Sequence, residues 1–137
     1  MKQIVSTKWK KGMTFESDVT GFKIVMDAKP EVGGQNQGPN PKPLLLSALT
    51  GCTGMDVASL MKKMRQDVTD FQIEASAQMT VEHPKHYDAI HLVYKFAGNN
   101  LHKAKLKKAV DLSMERYCGI SYMLSQSSKL TYKIVIE

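Results

Sequence analysis

The sequence predicts an α+β fold, because segments with strand-like alternation are grouped apart from segments with helical periodicity. Three strands come first, one long apolar helix follows, and two strands, two helices and a last strand complete the order. The long helix covers residues 40–64 and has apolar residues on more than one side, which indicates a largely buried position against a sheet. A length of 137 residues suits a single domain, residues 1–137.

The strands are predicted from alternation of apolar and polar residues and from the Gly, Pro and Asn residues between them. Residues 71–82 and 90–96 alternate most clearly, and the turn between them predicts an antiparallel hairpin. A Gly-, Pro- and Asn-rich loop follows the third strand. The predicted strands are residues 3–9, 13–19, 22–27, 71–82, 90–96 and 130–137.

Asn40-Pro41 is a typical helix start, since Asn caps free amide groups and Pro is tolerated in the first turn. Gly51 and Gly54 flank Cys52 inside this helix. Two interpretations remain open: a kink that places the thiol near a new helix N-terminus, or close packing of another helix against the glycines. Asp56 lies four residues after Cys52, on the same helical face, where its charge opposes a thiolate.

A second helical region is predicted from residue 101 onward. Its apolar residues recur at helical spacing up to Cys118, the other cysteine of the chain, and Gly119 then ends or bends the helix before a short helix over 120–124. Free cysteine is among the most buried residue types, so the residues alone leave two interpretations, inert packing or a redox pair.

The net charge is +6, and nearly all the basic residues are lysines scattered along the chain. Sequence-specific nucleic-acid binding relies on arginine and on recognisable motifs, so we expect no nucleic-acid partner. We also expect no membrane span, because no apolar run approaches the required length. The N-terminus lacks the apolar segment of a secretory signal, which favours a cytoplasmic location.

His83, His86 and His91 are the obvious candidates for a metal site. His83 and His86 lie in a turn that Pro84 interrupts, and no acidic cluster accompanies them. We therefore expect no metal and no cofactor. No serine has a motif-placed base, so hydrolase chemistry is not indicated either.

Several segments together resemble the OsmC/Ohr family of osmotically induced and organic-hydroperoxide-resistance proteins. They are the β-rich first third, the segment GPNPKPLLLSALTGCTGMDVASL, the hairpin, and AVDLSMERYCGISYML before the last strand. The resemblance implies an intertwined homodimer in which antiparallel sheets pack on long central helices. It further implies thiol-dependent reduction of organic hydroperoxides, with Cys52 as the peroxidatic thiol, Cys118 as the resolving thiol and an external dithiol as reductant.

This chain departs from the family pattern near the thiol. The active peroxidases place an arginine before the long helix and a glutamate about ten residues before the cysteine, whereas residues 1–40 contain no arginine and position 42 is lysine. Arg116 is a possible substitute. The enzyme assignment therefore stays open against two alternatives, a non-catalytic binder of a small apolar ligand and a slow thiol redox sensor.

Overall fold

A three-stranded antiparallel sheet, with its strands side by side in chain order, begins the chain. The computed structural model describes all residues, 1–137, and the chain divides into two compact units, Met1–Leu46 and Ser47–Glu137. The tight turns have positive φ at Gly12, Thr20 and Gly21, which glycine adopts without steric cost. The three predicted strands are confirmed as β1 (Val5–Lys11), β2 (Thr14–Val19) and β3 (Phe22–Met26).

Asp27 organises the predicted loop that follows β3. Its buried carboxylate accepts hydrogen bonds from the Thr14 hydroxyl and from the backbone amides of Ala28, Gln35 and Gln37. One short 3₁₀ turn, Pro30–Val32, lies inside this loop. The loop is therefore ordered around one side chain rather than by regular secondary structure.

Helix α1 (Pro41–Lys63) starts at the predicted proline and runs without a break past both glycines. A Cβ added at Gly54 would lie 3.3 Å from Cδ1 of Ile73, whereas one at Gly51 would have no neighbour within 4 Å. The element close to Gly54 is therefore the strand that contains Ile73 and not another helix. Neither interpretation of the glycines holds as predicted, and Cys52 lies inside a continuous helix.

The expectation that α1 is largely buried is wrong for the single chain. Met55 is 77% exposed, and one stripe of residues four apart is buried: Leu49, Thr53, Val57 and Met61. By length and composition this helix is also apolar enough to cross a membrane, a property that core helices of soluble proteins share. The expectation that no apolar run approaches that length is therefore wrong.

The second sheet has the order β4-β5-β6. Its strands are β4 (Asp67–Met79), β5 (Tyr87–Asn99) and β6 (Lys129–Ile136). The predicted hairpin is confirmed by antiparallel pairing of β4 with β5. In contrast, β6 pairs with β5 in parallel, so this sheet is mixed rather than purely antiparallel.

The connection from β5 to β6 consists of α2 (Lys103–Leu112), a π-helical turn (Ser113–Tyr117) and α3 (Gly119–Ser125). A parallel pairing needs such a crossover, because a tight turn cannot return the chain to the same end of the sheet. The core of this second unit is built from alternate residues of β5, one face of α2 and the buried stripe of α1. Its fully buried apolar side chains are Leu49, Val57, Ile90, Leu92, Tyr94, Phe96, Leu106, Ala109 and Val110.

Candidate functional site

The structure brings together the two cysteines that the sequence singled out. Both are free thiols; Cys52 on α1 is half-buried and Cys118 is buried. Their Sγ atoms and a carboxylate oxygen of Asp56 all lie within 4.8 Å of one another. The i, i+4 spacing of Cys52 and Asp56 puts both on one face of α1, as predicted, and Cys118 approaches that face from the crossover connection.

Cys118 does not lie in a helix, contrary to the sequence prediction. It has φ −78° and ψ 101° and separates the π-helical turn from α3. Its amide donates to the carbonyl of Ser113 at 2.8 Å, which closes the wide turn. π-Helical turns are rare and are frequent at functional sites, and here the turn sets the position of the thiol.

The Cys118 thiol also caps the short helix that follows. The backbone amide of Ser121 donates to Cys118 Sγ at 3.3 Å, and the Ser121 hydroxyl donates to the carbonyl of Cys118 at 2.9 Å. With only 3% of the residue exposed, these contacts fix both the backbone and the sulfur.

A chain of buried hydroxyl groups connects Asp56 to the core. Ser113 Oγ donates to Asp56 Oδ2 at 2.9 Å, Thr53 Oγ1 lies 2.7 Å from Ser113 Oγ, and Tyr94 Oη lies 2.8 Å from Thr53 Oγ1. A hydroxyl has a single proton to donate. Since Ser113 gives its proton to Asp56, Thr53 donates to Ser113 and Tyr94 donates to Thr53.

The surroundings of Cys118 favour its neutral form. Burial, and then the neighbouring Cys52 thiol, raise the pKa of Cys118, and the hydrogen bonds from Ser121 only partly oppose this. Burial likewise raises the pKa of Tyr94 to about 12, with Cys118 and Asp56 among the groups that add to the shift and the Thr53 hydrogen bond opposing it. Cys118 is therefore a protonated thiol at neutral pH.

The partner that the structure gives Asp56 is a hydroxyl and not a cation. The ion pairs Lys23–Asp18, Lys95–Glu74 and Lys107–Asp111 lie elsewhere. Arg116, the possible substitute for the family arginine, is exposed, with its guanidinium carbon 5.8 Å from the centre of the Tyr117 ring. The cluster thus combines two thiols with a carboxylate.

The predicted histidine candidates have partners of other kinds. His86 Nδ1 lies 2.6 Å from the carbonyl oxygen of Pro84, and His91 Nδ1 lies 2.7 Å from the Thr131 hydroxyl. The donor atoms that converge closely enough for a metal ion belong instead to Cys52, Asp56 and Cys118.

Sequence reasoning did not find the hydroxyl chain. Ser113 is the first residue of the π-helical turn and follows the buried Val110 of α2 by three residues. In the sequence it therefore continues the apolar stripe of that helix, and a polar residue on such a stripe indicates a buried hydrogen-bond partner. Thr53 and Tyr94 carry no comparable signal, because Thr beside the glycines and Tyr in an alternating strand both fit ordinary packing.

A shallow apolar groove lies on the exposed side of α1, against β4. It has a volume of about 460 Å³ and is lined in part by Gly51, Gly54, Met55, Phe71 and Ile73. The α1 wall of the groove includes Met55, which is 77% exposed in the single chain.

Known proteins of similar sequence and structure identify the family of this fold. The family described as "OsmC-like protein" matches residues 34–133. Protein YhfA of Escherichia coli strain K12 is 33% identical over 126 residues, which is 91% of each chain. The crystal structure of a hypothetical protein from Aquifex aeolicus VF5 is 30% identical, with a TM-score of 0.85 over 100% of this chain and 98% of that one.

A more distant structure shares the fold alone. It is an organic hydroperoxide resistance protein OsmC, described as a predicted redox protein, from Legionella pneumophila. It is 13% identical, with a TM-score of 0.71 over 98% of this chain and 97% of that one. From the match over residues 34–133 and the identity to YhfA, this chain belongs to the OsmC-like protein family.

Proposed function

We propose that the protein reduces organic hydroperoxides through Cys52 and Cys118 and thereby contributes to oxidative-stress defence. The observation that carries the proposal is the approach of two free thiols, with sulfur atoms within 4.8 Å of each other. A sulfenic acid on one sulfur is then within reach of the other thiol after a small side-chain movement. The organic hydroperoxide resistance protein from Legionella pneumophila has the same fold, which supports this choice of substrate class.

The burial of the two thiols supports Cys52 as the attacking thiol and Cys118 as the resolving thiol. Cys52 is half-buried and accessible to a substrate, whereas Cys118 is buried and its pKa is raised. In the first step the Cys52 sulfur attacks the terminal oxygen of the hydroperoxide and the O–O bond breaks. The thiol proton passes to the departing alkoxide, so that Cys52 becomes a sulfenic acid and an alcohol leaves.

In the second step the Cys118 sulfur attacks the sulfur of the Cys52 sulfenic acid. The S–O bond breaks, and the hydroxyl leaves as water with the Cys118 proton. The balance is two thiols and one hydroperoxide converted to one disulfide, one alcohol and one water. An external dithiol returns both cysteines to thiols by exchange, and the free thiols fit a reducing, cytoplasmic compartment.

A homodimer is part of the proposal. Several apolar side chains of α1 are exposed in the single chain, including Leu45 and Met55, and a second copy that covers this face would remove them from water. Light scattering of wild type and Met55→Lys tests this: the wild type is expected to have twice the chain mass and the variant a lower dimer fraction. A monomeric wild type would contradict the dimer.

The test of the reaction is rapid-mixing consumption of cumene hydroperoxide, combined with thiol counting by mass spectrometry. Wild type is expected to lose two thiols per turnover and form one intramolecular disulfide. Cys118→Ser is expected to stop at a sulfenic acid that a 1,3-diketone reagent traps on Cys52. If Cys52→Ser consumes hydroperoxide as fast as wild type, the peroxidase proposal is wrong.

A slow redox sensor is the second candidate, and Asp56 is the observation that favours it. A carboxylate within 4.8 Å of both sulfur atoms repels the negative charge that develops on the hydroperoxide oxygens and slows the reaction. A sensor is expected to form the same disulfide reversibly at a rate too slow for repeated turnover. Single-turnover and steady-state rates measured with one protein preparation distinguish the two candidates.

A further inference from the structure

Cys52, Asp56 and Cys118 form a compact set of three metal-binding donors outside the histidine turn. Their donor atoms lie within 4.8 Å of one another, and they come from α1 and from the residue after the π-helical turn. We propose that in the reduced protein these residues bind one thiophilic divalent metal ion of the zinc class, with a fourth position open to water. This departs from the sequence expectation of no metal, which was based on the histidines alone.

The donor types match such an ion. Two thiolates and one carboxylate are common protein ligands of Zn²⁺, with bonds of about 2.3 Å to sulfur and about 2.0–2.2 Å to oxygen. Tetrahedral bonds of these lengths place donor atoms about 3.5–3.8 Å apart. The observed upper limit of 4.8 Å therefore requires contraction by about 1 Å, which small χ1 rotations of Cys52 and Asp56 on the half-buried side supply.

The charge of the cluster also favours a cation. Two thiols and a carboxylate converge, and the partner of Asp56 is the neutral Ser113 hydroxyl. When a divalent ion binds, both thiols release their protons to solvent, and the ion offsets the repulsion between the three anionic donors.

Outer contacts hold the ligands in place. Ser113 is fully buried and donates to Asp56 Oδ2, and the Ser121 amide donates to Cys118 Sγ. Such partners orient metal ligands and typically contribute about 10–100-fold to metal affinity. The half-buried Cys52 and Asp56 leave one side of the cluster accessible to an entering ion and to a bound water.

Metal binding by the two thiolates and a Cys52–Cys118 disulfide exclude each other. A disulfide removes both thiolate ligands, so oxidised protein is expected to lose the ion. The metal site does not depend on peroxidase activity, because it requires only reduced thiols. The metal site can therefore be tested separately from the proposed reaction with hydroperoxide.

The test is a titration of the reduced, metal-free full-length protein with Co²⁺ under anaerobic conditions. Wild type is expected to develop a thiolate-to-cobalt charge-transfer band that saturates at one ion per chain and that Zn²⁺ abolishes. Cys52→Ser and Cys118→Ser are each expected to lose the band. Asp56→Asn is expected to lower the affinity more than Ser113→Ala, which itself lowers it by roughly 10–100-fold.

Asp70→Asn is the matched control, since it removes a carboxylate from an exposed position of β4 in the same unit and is expected to leave the titration unchanged. Where a variant folds poorly by circular dichroism, a second measurement on the wild type replaces it. In that measurement Zn²⁺ is expected to protect the thiols from an alkylating reagent, and a chelator is expected to reverse the protection. A wild type without the band or the protection would overturn the proposal, as would equal affinities of Asp56→Asn and Asp70→Asn. Disulfide formation with hydroperoxide, measured in chelator-treated protein, reports separately on the proposed function.

Discussion

Replacement of Thr53 by valine is the sharpest test of the hydroxyl chain behind the thiols. Thr53 and Tyr94 are fully buried, and Tyr94 donates to Thr53 because the Ser113 proton is committed to Asp56. Valine has nearly the same shape as threonine but accepts no hydrogen bond. The substitution therefore leaves the buried Tyr94 hydroxyl without a partner, while Ser113 still bonds to Asp56.

The expected cost follows from that single orphaned donor. An unsatisfied buried hydroxyl costs about 1–3 kcal/mol. With an unfolding entropy of about 2.1 cal/mol/K per residue and 137 residues, the unfolding entropy is about 0.29 kcal/mol/K. The melting temperature of Thr53→Val is therefore expected to fall by roughly 3–10 °C.

Thr50→Val is the matched control on the same helix. The Thr50 hydroxyl bonds only to the carbonyl of Ser47, in an exposed setting, so its loss is expected to change stability by no more than about 0.5 kcal/mol. Differential scanning calorimetry of both variants provides the comparison. Equal melting temperatures for Thr53→Val and Thr50→Val would refute the inferred direction of the hydrogen bonds.

The double variant Thr53→Val/Tyr94→Phe gives an independent check. Tyr94→Phe alone removes a donor and leaves Thr53 bonded to Ser113, at a cost of about 1 kcal/mol. In the double variant no buried tyrosine hydroxyl remains to be satisfied. The double variant is therefore expected to be more stable than the sum of the single effects predicts.

Three further predictions concern the rest of the fold. Hydrogen bonds to Asp27 outweigh the effect of burial and hold the pKa of its carboxyl below the ordinary value. Asp27 therefore stabilises the fold fully above the ordinary Asp pKa of about 3.9, and this contribution is lost as pH falls through the lower pKa of the folded state. In urea unfolding, Asp27→Asn is expected to weaken this dependence of stability on acid pH, and hydrogen exchange in the loop after β3 is expected to rise. A Cβ at Gly98 would lie 2.0 Å from the carbonyl oxygen of Asp67, so Gly98→Ala is expected to destabilise strongly, whereas Ser76→Ala at an exposed strand position is not. Leu49→Ala creates a cavity in the core and is expected to cost about 2–5 kcal/mol in urea unfolding.

Local patterns predicted most of the regular structure. Alternation identifies β4 and β5 because one face of each is more buried than the other, and Pro41 marks the start of α1. The parallel pairing of β6 was not predicted, since alternation is the same in parallel and antiparallel strands. The burial of α1 was overestimated because an apolar face indicates that something covers it but not whether the cover lies in the same chain.

The candidate site was predictable only in part. Helical spacing placed Asp56 beside Cys52, because residues four apart share a helical face. The pairing of Cys52 with Cys118 came from the family resemblance, since nothing local connects them. The π-helical turn that positions Cys118 leaves no clear sequence signal. Apolar residues continue at helical spacing up to Cys118, so the sequence predicts a helix there.

The substitution Asp56→Asn is expected to have opposite effects on the proposed reaction and on the proposed metal binding. The Asp56 charge lies within 4.8 Å of Cys52 Sγ, where it repels the negative charge that develops on the hydroperoxide oxygens during the attack, and the same charge attracts a divalent ion. Asp56→Asn is therefore expected to speed the reaction of Cys52 with hydroperoxide and to weaken Co²⁺ binding. A purely structural disturbance, transmitted through Ser113 and Thr53, would lower both quantities. Rates and affinities that fall together in this variant would show that Asp56 acts by holding the hydroxyl chain in place, and not through its charge at the sulfur atoms.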